Sequence, residues 1–495
     1  MFDSGTVLIA LIAVVITLVV VRYIKARRPV PNYPPGPVGL PIVGSLPQFL
    51  GREDYHRYFM ELGEKYGSVC SYMFGHQSFV LVNGIDSIKE ALVTRGNDIA
   101  DRPENYVVTL YNPHQLGLFD ARFNDIWFNQ RHFAHKTLRG FGFGKTSFES
   151  KIMEEVEFLI KNFKATQQKP TDIRNFITNC VSNIICSITF GKRYNHFEDP
   201  EFLKAMTCLR DWFTTTSSLM LQLGHVYPII RPLLWKQARD VKNATGSLEK
   251  FLLGEIAKKE EKLDTISEPG DFVESYLLEL KKDTEGKFKK LYLKHDIMDI
   301  FAAGTETTST TLTWSVLYMM VHPEVQRKVQ KELDQVVGRE KLPSWANKSD
   351  LPYTEATLLE IQRLSSLVPV VPHATLKPTT LGGYNLPAKC DVWLNLWSIH
   401  HDPKLYPDPE KFDPNRFLTE DGQVKKQESF MPFGAGRRVC MGESLAKLEL
   451  FLFFSAMLHQ FSFSVPEGTV APSLEGDLGI TIMPKPFEVV ITERS

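Results

Sequence analysis

The sequence has no surplus of charge of either sign. Its 495 residues carry 57 Lys and Arg against 58 Asp and Glu, a formal net charge of −1. A protein that binds nucleic acid through its phosphates needs an excess of Lys and Arg, so that class is excluded. An acidic disordered chain is excluded too, because 43% hydrophobic and 23% charged residues suffice to bury a large core. Cysteine is scarce: Cys70, Cys180, Cys186, Cys208, Cys390 and Cys440 are widely spaced, with no CxxC and no Cys/His cluster. That argues against a disulfide framework or a zinc module and for buried thiols in a reducing compartment. There is no Gly-x-Gly-x-x-Gly dinucleotide fingerprint, no repeat, and no linker within 38–495 that reads as a domain boundary. Length alone suggests about three domains at ~150 residues each.

One long apolar run is present, Thr6 to Val21, uncharged throughout. Its sixteen residues, at ~1.5 Å each, span roughly 25 Å, the short end for a membrane helix. A cleaved signal peptide places positive charge before its apolar run. Here only Asp3 precedes it, while Arg22, Lys25, Arg27 and Arg28 follow. The reading is an uncleaved anchor over 1–28 with the N-terminus lumenal and the body cytosolic. Residues 29–37 (PVPNYPPGP) form a semi-rigid hinge, five of nine being Pro. The sequons Asn243-Ala244-Thr245 and Asn347-Lys348-Ser349 then stay unglycosylated on the cytosolic side.

The body, 38–495, reads as one large mostly helical unit with small peripheral sheets. A hairpin is predicted from Val69–Phe74 and Phe79–Val82. Helical spacing predicts helices over 85–95, 123–140, 150–165, 172–190, 201–222, 240–262, 271–282, 295–320, 323–337, 352–365 and 443–460. Strand-like segments return near 370–395 and 461–492.

The chemistry concentrates in Phe430 to Gly442, FMPFGAGRRVCMG. Gly434 and Gly436 allow a tight turn and close approach to a planar ligand. Arg437 and Arg438 put positive charge near the Cys440 sulfur, and a helix starting at Glu443 adds its N-terminal N–H groups. A single anionic sulfur with no partner ligands excludes zinc, whereas haem iron needs one strong axial protein ligand. The spacing Phe433-x-x-Gly436-x-Arg438-x-Cys440-x-Gly442 resembles the haem-binding loop of the cytochrome P450 superfamily.

The rest of the chain extends the resemblance. Ala303-Gly304-Thr305-Glu306-Thr307-Thr308 resembles the family's oxygen-activation segment. It implies that Thr307 is the catalytic hydroxyl and Glu306 the proton-delivering acid, with Ala303 and Gly304 over the haem face. A mid-helix Thr307 bonds back to the carbonyl of Ala303. Glu360-Ile361-Gln362-Arg363 resembles the family's Glu-x-x-Arg pair, with Arg416 as third member, a buried brace for the cysteine loop. Trp127 and Arg131, at i,i+4, resemble a propionate-binding Trp-x-x-x-Arg, and Arg438, His373 and Arg102 match further propionate positions. Phe190-Gly191-Lys192-Arg193-Tyr194 resembles the microsomal branch, which implies an endoplasmic reticulum membrane location.

The resemblance implies haem b with Cys440 as axial ligand and a monooxygenase that hydroxylates or epoxidises a lipophilic small molecule. Electrons would come from NADPH through a separate flavoprotein reductase, with cytochrome b5 as a second donor. Lys136, Arg139, Arg437 and Lys447 are candidates for the reductase-facing surface. The apolar segments Val107–Leu118, Trp212–Leu223, Ile297–Ala303 and Leu367–Val371 are candidates for the substrate pocket, without an obvious charged anchor. A farnesoid ester such as methyl farnesoate is the leading substrate expectation, and broad xenobiotic or steroid hydroxylation the alternative. A non-oxygenating haem isomerase or dehydratase, and a haem sensor or carrier, are competing classes; the Glu306-Thr307 pair weighs against both.

Overall fold

A computed structural model describes residues 4–494 apart from positions 50, 53, 143–147 and 196–197. Helix α1 (Ser4–Arg27) carries the apolar run, with a mean hydropathy of 2.9 over its spanning window and none of that window buried against the body. Tyr23 donates its hydroxyl to the carbonyl of Gly39 at 2.5 Å. The Pro-rich segment is fastened to the first sheet: Ser71 donates from its amide to the carbonyl of Pro35 at 2.7 Å and from its hydroxyl to that of Pro34 at 2.8 Å.

The N-terminal sheet has four strands, β1 (Val69–Phe74), β2 (Gln77–Val82), β3 (Val370–Ala374) and β4 (Asp391–Asn395), in the order β1-β2-β4-β3. β2 begins two residues earlier than the aromatic pattern predicts, because the Gly75-His76 turn closes the ladder directly at Phe74 and Gln77. β4 lies parallel to β2 and antiparallel to β3. Pro372 has no N–H to give a ladder, and it sits on edge strand β3. Under this sheet lies α2 (Tyr55–Tyr66), which the helical predictions omit; it buries Tyr58, Phe59 and Leu62.

The helical body follows the predicted spans closely. Its site-bearing helices are α3 (Asp125–Gly140), α4 (Arg174–Phe190), α5 (Pro200–Thr216), α6 (Trp235–Glu260), α7 (Lys290–Val321), α8 (Pro352–Ser365), α9 (Trp397–His400) and α10 (Glu443–Gln460). The predicted 201–222 helix is cut at Thr216, and a second helix runs from Leu219 to Val226. The cause is local: Thr214, Thr215, Thr216 and Ser217 each turn their hydroxyl back onto the carbonyl four residues earlier, which competes with helix continuation. α6 starts at Trp235, ahead of the predicted position 240.

At 32 residues α7 is ~48 Å long. From Thr308 to Met320 every residue is buried, so the helix runs through the interior rather than along a surface. α4 and α10 pack against it. One main core cluster joins residues from Leu118 to Ile491, with smaller clusters under the sheet and near Tyr406. The fold is mainly α with small peripheral sheets in a single domain, so the length-based expectation of about three domains is corrected.

Candidate functional site

The cysteine loop is held by its own backbone. Gly434 N–H donates to the carbonyl of Met431 at 3.1 Å, and Cys440 N–H to that of Phe433 at 3.0 Å. Gly436 has φ +72°, and a Cβ there would collide with the Leu92 carbonyl oxygen. Its glycine therefore serves a crossing of two backbones, where the sequence reading assigned it to a planar ligand. Phe433 lies under the Lys447 ammonium, 5.6 Å from its ring centre.

Cys440 is accessible, yet burial among its neighbours raises its pKa. The Glu443 carboxylate adds to that rise, while the N–H groups of Gly442 and Glu443, at the start of α10, and the Arg131 guanidinium oppose it. Arg131 is anchored by a 2.6 Å bond to the carbonyl of Val439. The sequence reading gave the charge on the sulfur to Arg437 and Arg438; the geometry gives it to Arg131. Arg437 donates to Asn97 Oδ1 at 2.8 Å, and Arg438 donates to the carbonyls of Ala100 and Ala121 at 2.9 and 2.6 Å.

α7 presents Asp299, Ala303 and Thr307 at four-residue intervals, hence on one face. Ala303 is exposed, with Gly304, Glu306 and Thr307 half-buried after it, and Thr307 donates to its carbonyl at 2.7 Å, as predicted. Gly304 does not share this face: a Cβ there would sit 2.6 Å from Ile185 Cδ1 on α4, so it serves helix packing and not, as expected, the haem face. Glu306 points a quarter-turn away into a cavity of about 290 Å³ between α4, α5, α7 and the strand Ile482–Pro484, beside Arg174, Thr178, Arg210 and Thr313. Burial raises its pKa; Thr310, donating at 3.2 Å, and the charge of Arg174 oppose the rise.

The sequence reading found no charged anchor in Ile297–Ala303 and passed over Asp299. Asp299 is half-buried and accepts the N–H groups of Leu118 and Phe119 at 2.6 and 2.9 Å, and desolvation followed by the charge of Asp120 pushes its pKa up to about 7. Asp120 accepts the Tyr111 hydroxyl at 2.6 Å, and Tyr111 meets Trp212 edge-on at 5.1 Å between ring centres. The signal was available: Asp299 stands one turn before Ala303.

Three guanidinium groups and one imidazole gather nearby. Arg102 donates to the carbonyls of Phe119 and Pro372 at 2.9 and 2.6 Å, and Arg438 stacks 4.1 Å over Trp127. Burial, then the neighbouring charge of Arg102, lowers the Arg438 pKa to about 8 despite Asp101. His373 Nδ1 donates to the carbonyl of Ile99 at 2.7 Å, and burial followed by Arg102 depresses its pKa. Trp127 is corrected: its Nε1–H donates to the carbonyl of Leu118 at 3.1 Å, so it and Arg131 do not present two free donors side by side.

Glu360, Arg363 and Arg416 come together as expected. Arg363 grips Glu360 with two bonds of 2.7 and 2.9 Å, both side chains fully buried, and Arg416 Nε lies 3.3 Å from Glu360 Oε1. Arg416 also bonds the carbonyls of Pro407 and Asp408.

These residues fit haem. One accessible sulfur whose thiol is held up by burial needs a metal cation to become thiolate. A crowd of guanidinium groups that depress one another's pKa needs anions, which two propionates would supply. The comparisons agree. The family model described as Cytochrome P450 matches residues 34–491. "Cytochrome P450 2U1" of Mus musculus is 36% identical over 99% of this chain and 96% of its own length. "Cytochrome P450 2J2" of Homo sapiens is 38% identical over 96% and 94%, and "Cytochrome P450 2D14" of Bos taurus 35% over 98% and 97%.

Proposed function

The chain belongs to the cytochrome P450 family of haem-thiolate monooxygenases, and we propose that Cys440 is its iron ligand and Ala303–Thr307 its oxygen-activation segment, acting on a neutral lipophilic small molecule. The observation that carries this is the pairing of one accessible sulfur at the start of α10 with one accessible stretch on α7, in two helices packed together through the core.

The bound haem supplies the oxygen chemistry: dioxygen, two electrons from the reductase and two protons give water and one oxygen atom inserted into substrate. The chain's own part is positional and protonic. Gly442 and Glu443 N–H groups and Arg131 hold negative charge on the Cys440 sulfur. Arg102, Arg131, His373 and Arg438 hold the carboxylates of the cofactor. A carboxylate among them would offset the charge of Arg102, which adds to burial in depressing the pKa of His373. Ala303 leaves room above the ring. Glu306 takes protons from the 290 Å³ cavity, and the Thr307 hydroxyl orients them at the reacting face.

Support for a lipophilic substrate lies on the surface. Ile229 and Leu233 are 88% and 78% exposed, and Val38, Leu40 and Ile42 are exposed too. Tyr227 joins these two apolar segments by donating to the carbonyl of Ile42 at 2.8 Å. With α1 they would make one membrane-facing side of an endoplasmic reticulum protein whose body lies in the cytosol. Lys136, Arg139, Arg437 and Lys447 are exposed around the cysteine loop and α3, a basic surface for the reductase and for cytochrome b5. Methyl farnesoate stands as one test substrate beside a steroid and a generic xenobiotic, since none of the described pocket residues selects among them.

The test is reconstitution with reductase in lipid vesicles, following NADPH consumption and product for that panel. NADPH-dependent product from at least one lipophilic compound is expected. Turnover without NADPH would instead indicate an isomerase or dehydratase.

A further inference from the structure

The Glu360–Arg363 pair lies buried on α8, joined by the half-buried Arg416 from the segment beyond α9, and the cysteine loop starts more than sixty residues after the pair in the chain. One imidazole joins them. His400, the last residue of α9, is fully buried, with both ring nitrogens engaged. The backbone N–H of Met431 lies 3.1 Å from Nε2, and the Ser366 hydroxyl lies 2.9 Å from Nδ1. A backbone N–H only donates, so Nε2 is the bare nitrogen and Nδ1 carries the proton. Ser366 accepts that proton and gives its own to the carbonyl of Arg363 at 2.7 Å. Arg363 closes the circuit, donating from Nη1 to the His400 carbonyl at 2.7 Å. Every donor in this ring has one acceptor.

Ser366 carries a second mark of purpose. It is not glycine, yet it holds φ +35° and ψ +56° at the end of α8. Side chains other than Gly, Asn and Asp rarely accept that conformation. It brings the hydroxyl between the Arg363 carbonyl and the imidazole. On the other side, Met431 is where the cysteine loop begins: its carbonyl takes the N–H of Gly434, and the carbonyl of Phe433 takes that of Cys440.

We propose that His400 is a positioning residue, which accepts the Met431 N–H and so transmits the rigidity of the Glu360–Arg363–Arg416 assembly to the loop that presents Cys440. This rests on the reading of Cys440 as haem ligand. Without His400 the Met431 N–H is a buried donor with no acceptor, and the loop relaxes to satisfy it. The sulfur then loses its fixed placement beside the N–H groups of Gly442 and Glu443, and the thiolate gives way to the thiol.

The substitutions His400→Gln, His400→Asn and His400→Leu separate this from space filling. The Gln amide oxygen reaches the place of Nε2, the Asn amide reaches only that of Nδ1, and Leu fills the volume without an acceptor. On purified holoprotein the readout is the Soret band of the ferrous carbonyl complex, which distinguishes thiolate from neutral thiol ligation. H400Q is expected to keep the thiolate band, and H400N and H400L to convert most of the protein to the thiol form. Equal retention by all three would overturn the proposal. A wild-type protein without a thiolate band would instead overturn the reading of Cys440.

Hydrogen exchange of the wild-type holoprotein gives a second arm, which decides the matter should the variants not accumulate folded. The Met431 amide is expected in the slow class with the α10 core; exchange at the rate of exposed loop amides would contradict the latch.

Discussion

The hydroxyl of Thr307 donates to the carbonyl of Ala303 at 2.7 Å, one turn back along α7. The bond holds the hydroxyl on the accessible face that Ala303 opens, ready to exchange partners when a better acceptor arrives. Replacing it removes a donor at the reacting face without disturbing the core. T307A is expected to lower coupled turnover on the order of 10²-fold, the usual contribution of one proton-transfer group. T307S should keep most of it. Product formed per NADPH consumed is the measure, and equal coupling in T307A and wild type would remove Thr307 from the mechanism.

Glu360 is a fully buried carboxylate facing two guanidinium groups. Removing it leaves Arg363 charged and unpaired, a loss of about 3–5 kcal/mol for a broken buried pair. E360A should therefore accumulate poorly and hold little haem, and R363A likewise. Haem content per polypeptide, read from absorbance against protein mass, checks this. Because Lys at 416 retains a positive charge beside Glu360, R416K should be milder than either.

Asp299 makes stability depend on pH. Burial raises its folded pKa to about 7, whereas an unfolded Asp titrates near ~4. The folded state therefore binds the proton more tightly. The contribution is fully present below pH ~4 and is lost as pH rises through about 7. D299N has no such proton to lose. The stability of wild type relative to D299N should fall as pH rises from ~4 to about 7 and level off above it, measured by denaturant unfolding at matched ionic strength. A difference that does not change with pH would show that Asp299 titrates normally.

A body in the cytosol, as proposed, keeps both sequons away from the lumenal glycosylation machinery. In the fold Thr245 is buried inside α6, and the Asn347 side-chain oxygen accepts from the N–H and hydroxyl of Ser344. Protein expressed in a eukaryotic cell should show no mass change on glycosidase treatment. A sequon inserted before residue 4 should be glycosylated, and its failure to be would reverse the orientation.

Much of the site was legible because its chemistry is local. The Thr307–Ala303 bond, the Glu360–Arg363 pair and the start of α10 behind Cys440 all lie within one or two turns of chain, where spacing alone fixes neighbours. The failures came where two distant segments meet. Gly436 is shaped by Leu92, Gly304 by Ile185, Trp127 by the Leu118 carbonyl, and the charge on the sulfur comes from Arg131. Leu92, Ile185 and Arg131 lie far along the chain from the residues they act on, and Leu118 lies nine residues from Trp127, so spacing within one or two helical turns did not reveal these contacts. The fold was read well for the long helices. It was misread at Thr214–Ser217, where hydroxyl groups outbid the backbone for carbonyls, and at α2, whose stripe of Tyr58, Phe59 and Leu62 is short.

The most direct test of the whole account is the ferrous carbonyl spectrum of the purified full-length protein beside C440S. Wild type should show the red-shifted Soret band of thiolate-ligated haem, and C440S should lose it while keeping the far-UV circular dichroism of the helical body. A wild-type spectrum without that band, or a C440S spectrum that retains it, would contradict the assignment of Cys440 and with it the proposed mechanism.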